Sequence, residues 1–332
     1  MRETTRRKLV IWDVNWSPHA GEFSRLLGEA WEVRAGQGDI EWLRRELKEA
    51  AALVAVSLPS IALPEARGLG VFLYPGAGLV DAEAGHYPLG CPVVNVYEHE
   101  TPIAEYVLMM MLAHVTGLRQ HTEALRQGCW EGSGRIGGRP HEELAGQTLG
   151  LLGYGRIGRA IAARARAFGM RAVAVRRSEG TCVDELDLLG GPGRLRDLLR
   201  QANFLVIAAP LNRETEGLIG EAELALLPAG AFLINVSRAE IVKERALYEA
   251  LISGRLGGAA LDVWYQYPQP GERGFGSKLP FHELPSVQCT PHYSAWTQGL
   301  IRRRIAGMCE NLARWSRGED LERVVLTGQW RP

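Results

Sequence analysis

Apolar positions along this chain fall into two patterns. Short β-branched or apolar runs at residues 9–12, 31–34, 53–56, 71–74 and 93–96 are separated by stretches with helical spacing around 22–29 and 40–50. Runs of that length between helical stretches predict strands of a parallel sheet joined by crossover helices, so residues 1 to about 97 read as one doubly wound α/β unit. The alternation resumes at 148–152 and continues through 172–175, 204–208, 231–236, 259–263 and 287–290, with helices such as 158–168 and 246–253 in the gaps. No internal repeat or low-complexity segment interrupts it.

Between the two blocks, Thr101-Pro102 marks a helix start, because threonine can accept from an early amide and proline at the first position wastes no donor. The pattern predicts one helix to about Arg126. Its residues Ile103, Val107, Met110, Met111, His114 and Leu118 make it apolar almost all round, which calls for burial either between domains or between subunits. A Gly-rich loop without periodicity follows over 128–140, and the last predicted helix, 297 to about 317, is amphipathic and suited to packing back on the first unit.

The chain has 332 residues, 46% apolar and 23% charged, which leaves room for two domains and excludes a disordered or collagen-like chain. Thirty-eight basic residues balance thirty-eight acidic ones, so nothing predicts a nucleic-acid or acidic-membrane partner, and a small neutral or anionic ligand stays open. Cys91, Cys129, Cys182, Cys289 and Cys309 show no metal-ligand spacing; no metal is expected, and the cysteines read as reduced thiols of a cytoplasmic protein. The run Leu9-Val10-Ile11-Trp12 is too short for a signal peptide. The longest apolar stretch, 103–115, contains Glu105 and His114 and falls short of the ~20 residues a bilayer span needs.

Five segments carry candidate chemistry. Gly153-Tyr154-Gly155-Arg156-Ile157-Gly158 follows a predicted strand and opens a helix, the context in which this glycine spacing admits a pyrophosphate to a helix N-terminus. Where a carboxylate for ribose hydroxyls commonly ends the next strand, this chain has Arg176-Arg177-Ser178, which suits a 2′-phosphate and predicts NADPH over NADH, with NADH still possible. Asn235 to Glu240, Leu261 to Trp264 and Thr290 to Ser294 each end a later strand, so Arg238, Asp262 and His292 are expected at the carboxyl edge of the sheet, where ligands bind. Taken alone, Arg238 is also an ordinary surface arginine and His292 a satisfied loop histidine.

With these motifs in order, the chain resembles the D-isomer-specific 2-hydroxyacid dehydrogenases. The resemblance extends to Pro75-Gly76-Ala77-Gly78, to Ala104-Glu105, to Ala209-Pro210-Leu211 with Thr215, and to Ala295-Trp296 after the histidine. It implies a flavodoxin-like substrate domain (1–97 with 297–332), an inserted Rossmann dinucleotide-binding domain (98–296) and a homodimer formed through the long helix. It also implies that Arg238 holds the substrate carboxylate and polarises its carbonyl while His292 moves the proton. Ala77 and Gly78 amides would take the other carboxylate oxygen, with His99 nearby. Ala209, Pro210, Val236, Ser237 and Asp262 would meet the nicotinamide half of the cofactor. The substrate would be a small 2-oxo or D-2-hydroxy acid.

Two departures qualify the resemblance. Ala239 stands where the family usually has glycine, which is tolerable if its φ is negative. The family's glutamate partner of the histidine is absent; its place falls on Tyr267 if counted without gaps, or on Gln269 if two residues are inserted. Gln269-Pro270 looks like the Gln-Pro of formate dehydrogenases, but those carry asparagine where this chain has His99, which argues against formate oxidation. A dinucleotide-sensing interaction protein on the same fold is the reading from another class.

Overall fold

The computed structural model describes residues 6–78, 84–130, 132–177, 186–269 and 271–331. In chain order the first elements are β1 (Arg7–Trp12), α1 (Ala20–Leu27), β2 (Trp31–Gly36), α2 (Ile40–Leu47), β3 (Ala50–Ala55), β4 (Val71–Tyr74) and β5 (Pro92–Asn95). Then come α3 (Glu100–Val115), α4 (Leu118–Arg126), β6 (Thr148–Leu152), α5 (Arg156–Ala167), β7 (Arg171–Val175), β8 (Leu188–Gly190), α6 (Leu195–Gln201), β9 (Phe204–Ile207), α7 (Glu221–Leu224), β10 (Ala231–Asn235), α8 (Glu244–Ile252), β11 (Leu256–Leu261) and β12 (Val287–Cys289). The chain ends with α9 (Gln298–Arg317) and β13 (Val324–Thr327).

These elements form two compact units, Met1–Glu98 with Thr297–Pro332, and His99–Trp296. In the first, a six-stranded sheet has the order β13-β5-β4-β3-β1-β2, parallel except for β13, which pairs antiparallel with β5. Without β13 this is the flavodoxin-like doubly wound order. Its local logic follows the sequence: the Asp39 carboxylate caps α2 by accepting from the amides of Glu41 and Trp42, both at 3.1 Å. The Thr297 hydroxyl caps α9 through the Leu300 amide at 3.1 Å, and Gly318, at φ 70°, stops it. Ile301, Ile305, Met308 and Leu312 of α9 are buried with Leu9, Ile11 and Val54, so the last helix completes one face of this core. Burying side chains of this size is worth roughly 1.5–3 kcal/mol each.

The second unit holds a seven-stranded, wholly parallel sheet in the order β12-β11-β10-β9-β6-β7-β8, a Rossmann arrangement with its reversal at β6/β9. Both faces are covered, which is why β6, β9 and β10 are buried at every position.

Three expectations need correction. The helix expected over 101–126 is two helices, because Gly117 takes a left-handed φ of 58° and turns α4 by 58° away from α3. β13 closes an edge of the first sheet that the strand pattern did not assign, and β8 adds a three-residue edge to the second. The first sheet is therefore mixed rather than wholly parallel. No single helix among the described residues is long and apolar enough to cross a membrane, and none of their His, Cys, Asp and Glu residues group as a metal site. Cys91, Cys129, Cys289 and Cys309 are free thiols; Cys182 lies outside the described residues.

Candidate active site

The turn from β6 into α5 is shaped by three glycines with different tasks. Gly153 has φ 103°, and a Cβ there would lie 2.5 Å from the Ala209 nitrogen on the β9 side. A Cβ on Gly158 would lie 2.4 Å from the Gly153 carbonyl oxygen, so that glycine lets the helix pack onto the turn. Gly155 faces open space instead, and as N-cap of α5 it leaves the first amides without a side-chain partner. Open backbone donors at a helix start favour an anion.

Beside the turn is a cavity of about 470 Å³, lined by Gly153, Tyr154, Gly155, Arg176, Arg177, Ala209, Pro210 and Thr215 among others. The Tyr154 ring is buried in the core beneath the Arg159 guanidinium, so Tyr154 offers the cavity chiefly backbone. Arg156 instead pairs with Glu100 at 3.3 Å, and Ile157 packs against the core. The Thr215 hydroxyl donates to the Pro210 carbonyl at 2.7 Å, fixing the loop that forms the far wall. Arg176 and Arg177 follow directly on β7, the Arg176 amide donating to Gly190 O at 3.0 Å; Ser178 lies outside the described residues. Glycine cradle, bare helix start and cationic strand end together fit a dinucleotide phosphate.

Arg238 and His292 come from the ends of β10 and β12. The turn after β10 winds round the buried Asn235 side chain, which accepts from the Ser237 amide at 3.1 Å and donates to the Arg238 carbonyl at 2.9 Å. The Ser237 hydroxyl donates to Ala209 O, tying this turn to the cavity wall, and Val236 is buried beneath it. Ala239 is buried and has no positive φ, so its extra methyl is accommodated.

His292 itself has a left-handed φ of 56°, a strained backbone for a residue with a Cβ. The surrounding loop is held by Asp262, 1% exposed, whose Oδ1 accepts from Thr290 Oγ1 at 2.6 Å and the Tyr293 amide at 2.9 Å, and whose Oδ2 accepts from the Ser294 amide at 3.0 Å. The Trp264 indole adds a bond to Thr290 O at 2.8 Å, and Tyr106 Oη lies 2.8 Å from Thr290 Oγ1. Asp262, expected at the nicotinamide, thus spends three of its four acceptor positions on the loop that presents His292. Replacing it with asparagine sets an NH₂ against loop donors. We expect a loss of about 2 kcal/mol, read by calorimetry as a melting temperature lower by roughly 4–8 °C.

Tyr267, not Gln269, meets the imidazole: the Tyr267 hydroxyl lies 2.8 Å from His292 Nδ1, and among the described residues no hydrogen bond joins Gln269 to the ring, its backbone amide donating instead to Glu272 at 3.1 Å. Nε2 of His292 has no hydrogen-bond partner among the described residues. Desolvation by the surrounding protein lowers the imidazole pKa below its ordinary value; Asp262 pulls it up and Arg238 pushes it further down. Ala77 and Gly78 belong to the first unit, just beyond β4, where their carbonyls accept from Asn95 Nδ2 at 2.8 Å and Tyr74 Oη at 3.0 Å. His99 begins the second unit and immediately precedes α3.

Residues 108–294 match the model of the D-isomer specific 2-hydroxyacid dehydrogenase NAD-binding domain. D-3-phosphoglycerate dehydrogenase of Methanocaldococcus jannaschii is 32% identical over 91% of this chain, which spans 56% of that protein's length. Hydroxypyruvate reductase of Thermotoga maritima is 30% identical over 83% of this chain and 88% of its own. The structure of an NADPH-dependent glyoxylate/hydroxypyruvate reductase from Sinorhizobium meliloti, in complex with NADP and sulfate, superposes with a TM-score of 0.78 at 25% identity, covering 96% of this chain and 98% of that one. A nucleotide unit with this glycine turn, matched over more than half the chain and joined by relatives of that coverage, makes the chain a member of the NAD(P)-dependent D-isomer specific 2-hydroxyacid dehydrogenase family.

Proposed function

We propose that this enzyme interconverts a small 2-oxo acid, of the glyoxylate or hydroxypyruvate class or a larger relative, with its D-2-hydroxy acid, and that it prefers NADPH. The observation that carries the reading is the convergence of Arg238 and His292 at the carboxyl edge of the nucleotide sheet, with Nε2 of the imidazole unengaged. A nicotinamide cofactor, when bound, would supply the hydride chemistry at C2. Arg238 holds the substrate carboxylate and polarises the 2-oxo group, and His292 gives its Nε2 proton to the oxygen as alkoxide charge develops; in oxidation it takes that proton back. Ala77, Gly78 and His99 keep the substrate-binding assignment that the resemblance implies.

A panel of 2-oxo acids with NADPH, followed by loss of nicotinamide absorbance, tests this. Turnover of at least one 2-oxo acid is the expected result, with the D-enantiomer formed wherever C2 of the product is a stereocentre. Oxidation of formate instead, or tight NADPH binding with no turnover of any 2-oxo acid, overturns it in favour of a hydride-donor enzyme or a dinucleotide sensor.

We further propose that two copies pair through the outer face of α3, where Met109 is 47% and Leu112 36% exposed beside Phe168 of α5. Light scattering after chromatography is expected to give a dimer, and Met109→Asp with Leu112→Asp a monomer; a native monomer removes the proposal.

A further inference from the structure

His292 and Tyr267 form a pair with an unusual partner for a proton-transfer imidazole. The Tyr267 hydroxyl sits 2.8 Å from Nδ1, with the rings tilted by 42°, and accepts the Trp264 amide at 3.3 Å, so its oxygen is anchored to the backbone just beyond β11. We propose that Tyr267 is the positioning residue of His292: its neutral phenol holds Nδ1, aims Nε2 at the reacting oxygen, and meets the ring as acceptor or donor according to whether Nδ1 carries a proton. The inference rests on the 2-oxo acid reductase reading above.

The protons balance as follows. In reduction the imidazolium donates from Nδ1 to the phenol oxygen, and its Nε2 proton passes to the substrate oxygen while hydride reaches C2. The ring is left neutral with Nδ1–H still on Tyr267, and Nε2 is then the base for the reverse direction. The other neutral tautomer has a bare Nδ1 receiving the phenol proton and a protonated Nε2, which cannot act as a base. A carboxylate would accept only and so exclude that tautomer; a phenol admits both. Tyr267 is not itself the proton source. Burial raises its pKa above that of an ordinary phenol, the Trp264 amide and Arg238 opposing only in part.

The groups acting on the ring are Tyr267, Asp262 and Arg238. Among the described residues acting on the ring, only Asp262 brings negative charge, and its oxygens are committed to the loop. The protonated form needed for reduction is therefore lost as pH rises through a value below about 6.5, the ordinary imidazole pKa.

Nitrogen NMR of the full chain labelled in histidine tests the pair without any substrate, the His292 signal being assigned by its loss in His292→Gln. Tyr267→Glu is expected to raise the His292 pKa by at least about one unit, and Tyr267→Phe to change its tautomer ratio. With substrate, Tyr267→Phe should lower kcat at least about tenfold with NADPH affinity unchanged. The alkaline limb of the reduction profile should move up in Tyr267→Glu with the titration. An unchanged His292 titration and tautomer ratio across wild type, Tyr267→Phe and Tyr267→Glu overturns the proposal. If the titrations move as expected while no 2-oxo acid is reduced, the pairing stands and the reductase reading falls.

Discussion

Alanine at His292 or at Arg238 is expected to cut kcat/KM for reduction of the preferred 2-oxo acid at least about a hundredfold, a loss of ~2.7 kcal/mol of transition-state stabilisation. In the proposed mechanism hydride arrival at C2 builds alkoxide charge that water alone would meet poorly, and each residue would answer a different part of that demand. His292→Ala leaves the carboxylate clamp and should act mainly on kcat. Arg238→Ala removes a cation that, on the proposed reading, would engage ground state and transition state alike, so KM should rise as well. Arg238→Lys should recover only part of the loss, because an ammonium lacks the planar fork. Neither residue lines the cavity beside the glycine turn, so NADPH affinity should persist in all three variants. Unchanged turnover in either alanine variant removes that residue from its role.

NADPH should exceed NADH by at least tenfold in kcat/KM, ~1.4 kcal/mol, and Arg176→Asp should reverse the order. Arg176 and Arg177 follow β7 on the cavity wall, and Arg177 makes no ion pair with any described residue. The carboxylate along that wall, Glu214, comes from the loop after β9, not from the strand end where ribose hydroxyls are commonly met. An aspartate at position 176 would add acceptors for a ribose hydroxyl and repel a 2′-phosphate, so one substitution acts on both cofactors in opposite senses. A wild-type preference for NADH by tenfold would show that neither guanidinium reads the phosphate.

The central strands of both sheets were legible because a parallel sheet covered on both faces requires near-continuous apolar runs, as in β6 and β9. β13 was not: Val324-Val325-Leu326-Thr327 is β-branched but partly exposed at an edge, and only pairing with β5, far away in sequence, makes it a strand. The helix break was equally hidden, since a glycine such as Gly117 is tolerated inside helices and here bends the chain only through its φ. In the site, Arg238 and His292 could be picked out because strand ends locate them. The choice between Tyr267 and Gln269 could not be made by counting, because it depends on how the loop after Asp262 folds; the Trp264 amide anchors the tyrosine there. Asp262's hold on the His292 loop leaves no signature either, since two of its three donors are backbone amides that any residue would carry.

Because the nucleotide unit is inserted between Glu98 and Thr297, the two units differ in when they can fold. His99–Trp296 is contiguous and can reach its native contacts as soon as it leaves the ribosome. The first unit is synthesised earlier yet must wait, because Leu9, Ile11 and Val54, packed with Trp16, Phe23 and Trp31, are only partly covered until Ile301, Ile305, Met308 and Leu312 of α9 arrive. For most of translation the N-terminal sheet therefore carries an exposed apolar face. It is the part of the nascent chain that chaperones should bind, and a chain cut short before residue 300 should aggregate through that sheet even though its nucleotide unit is complete.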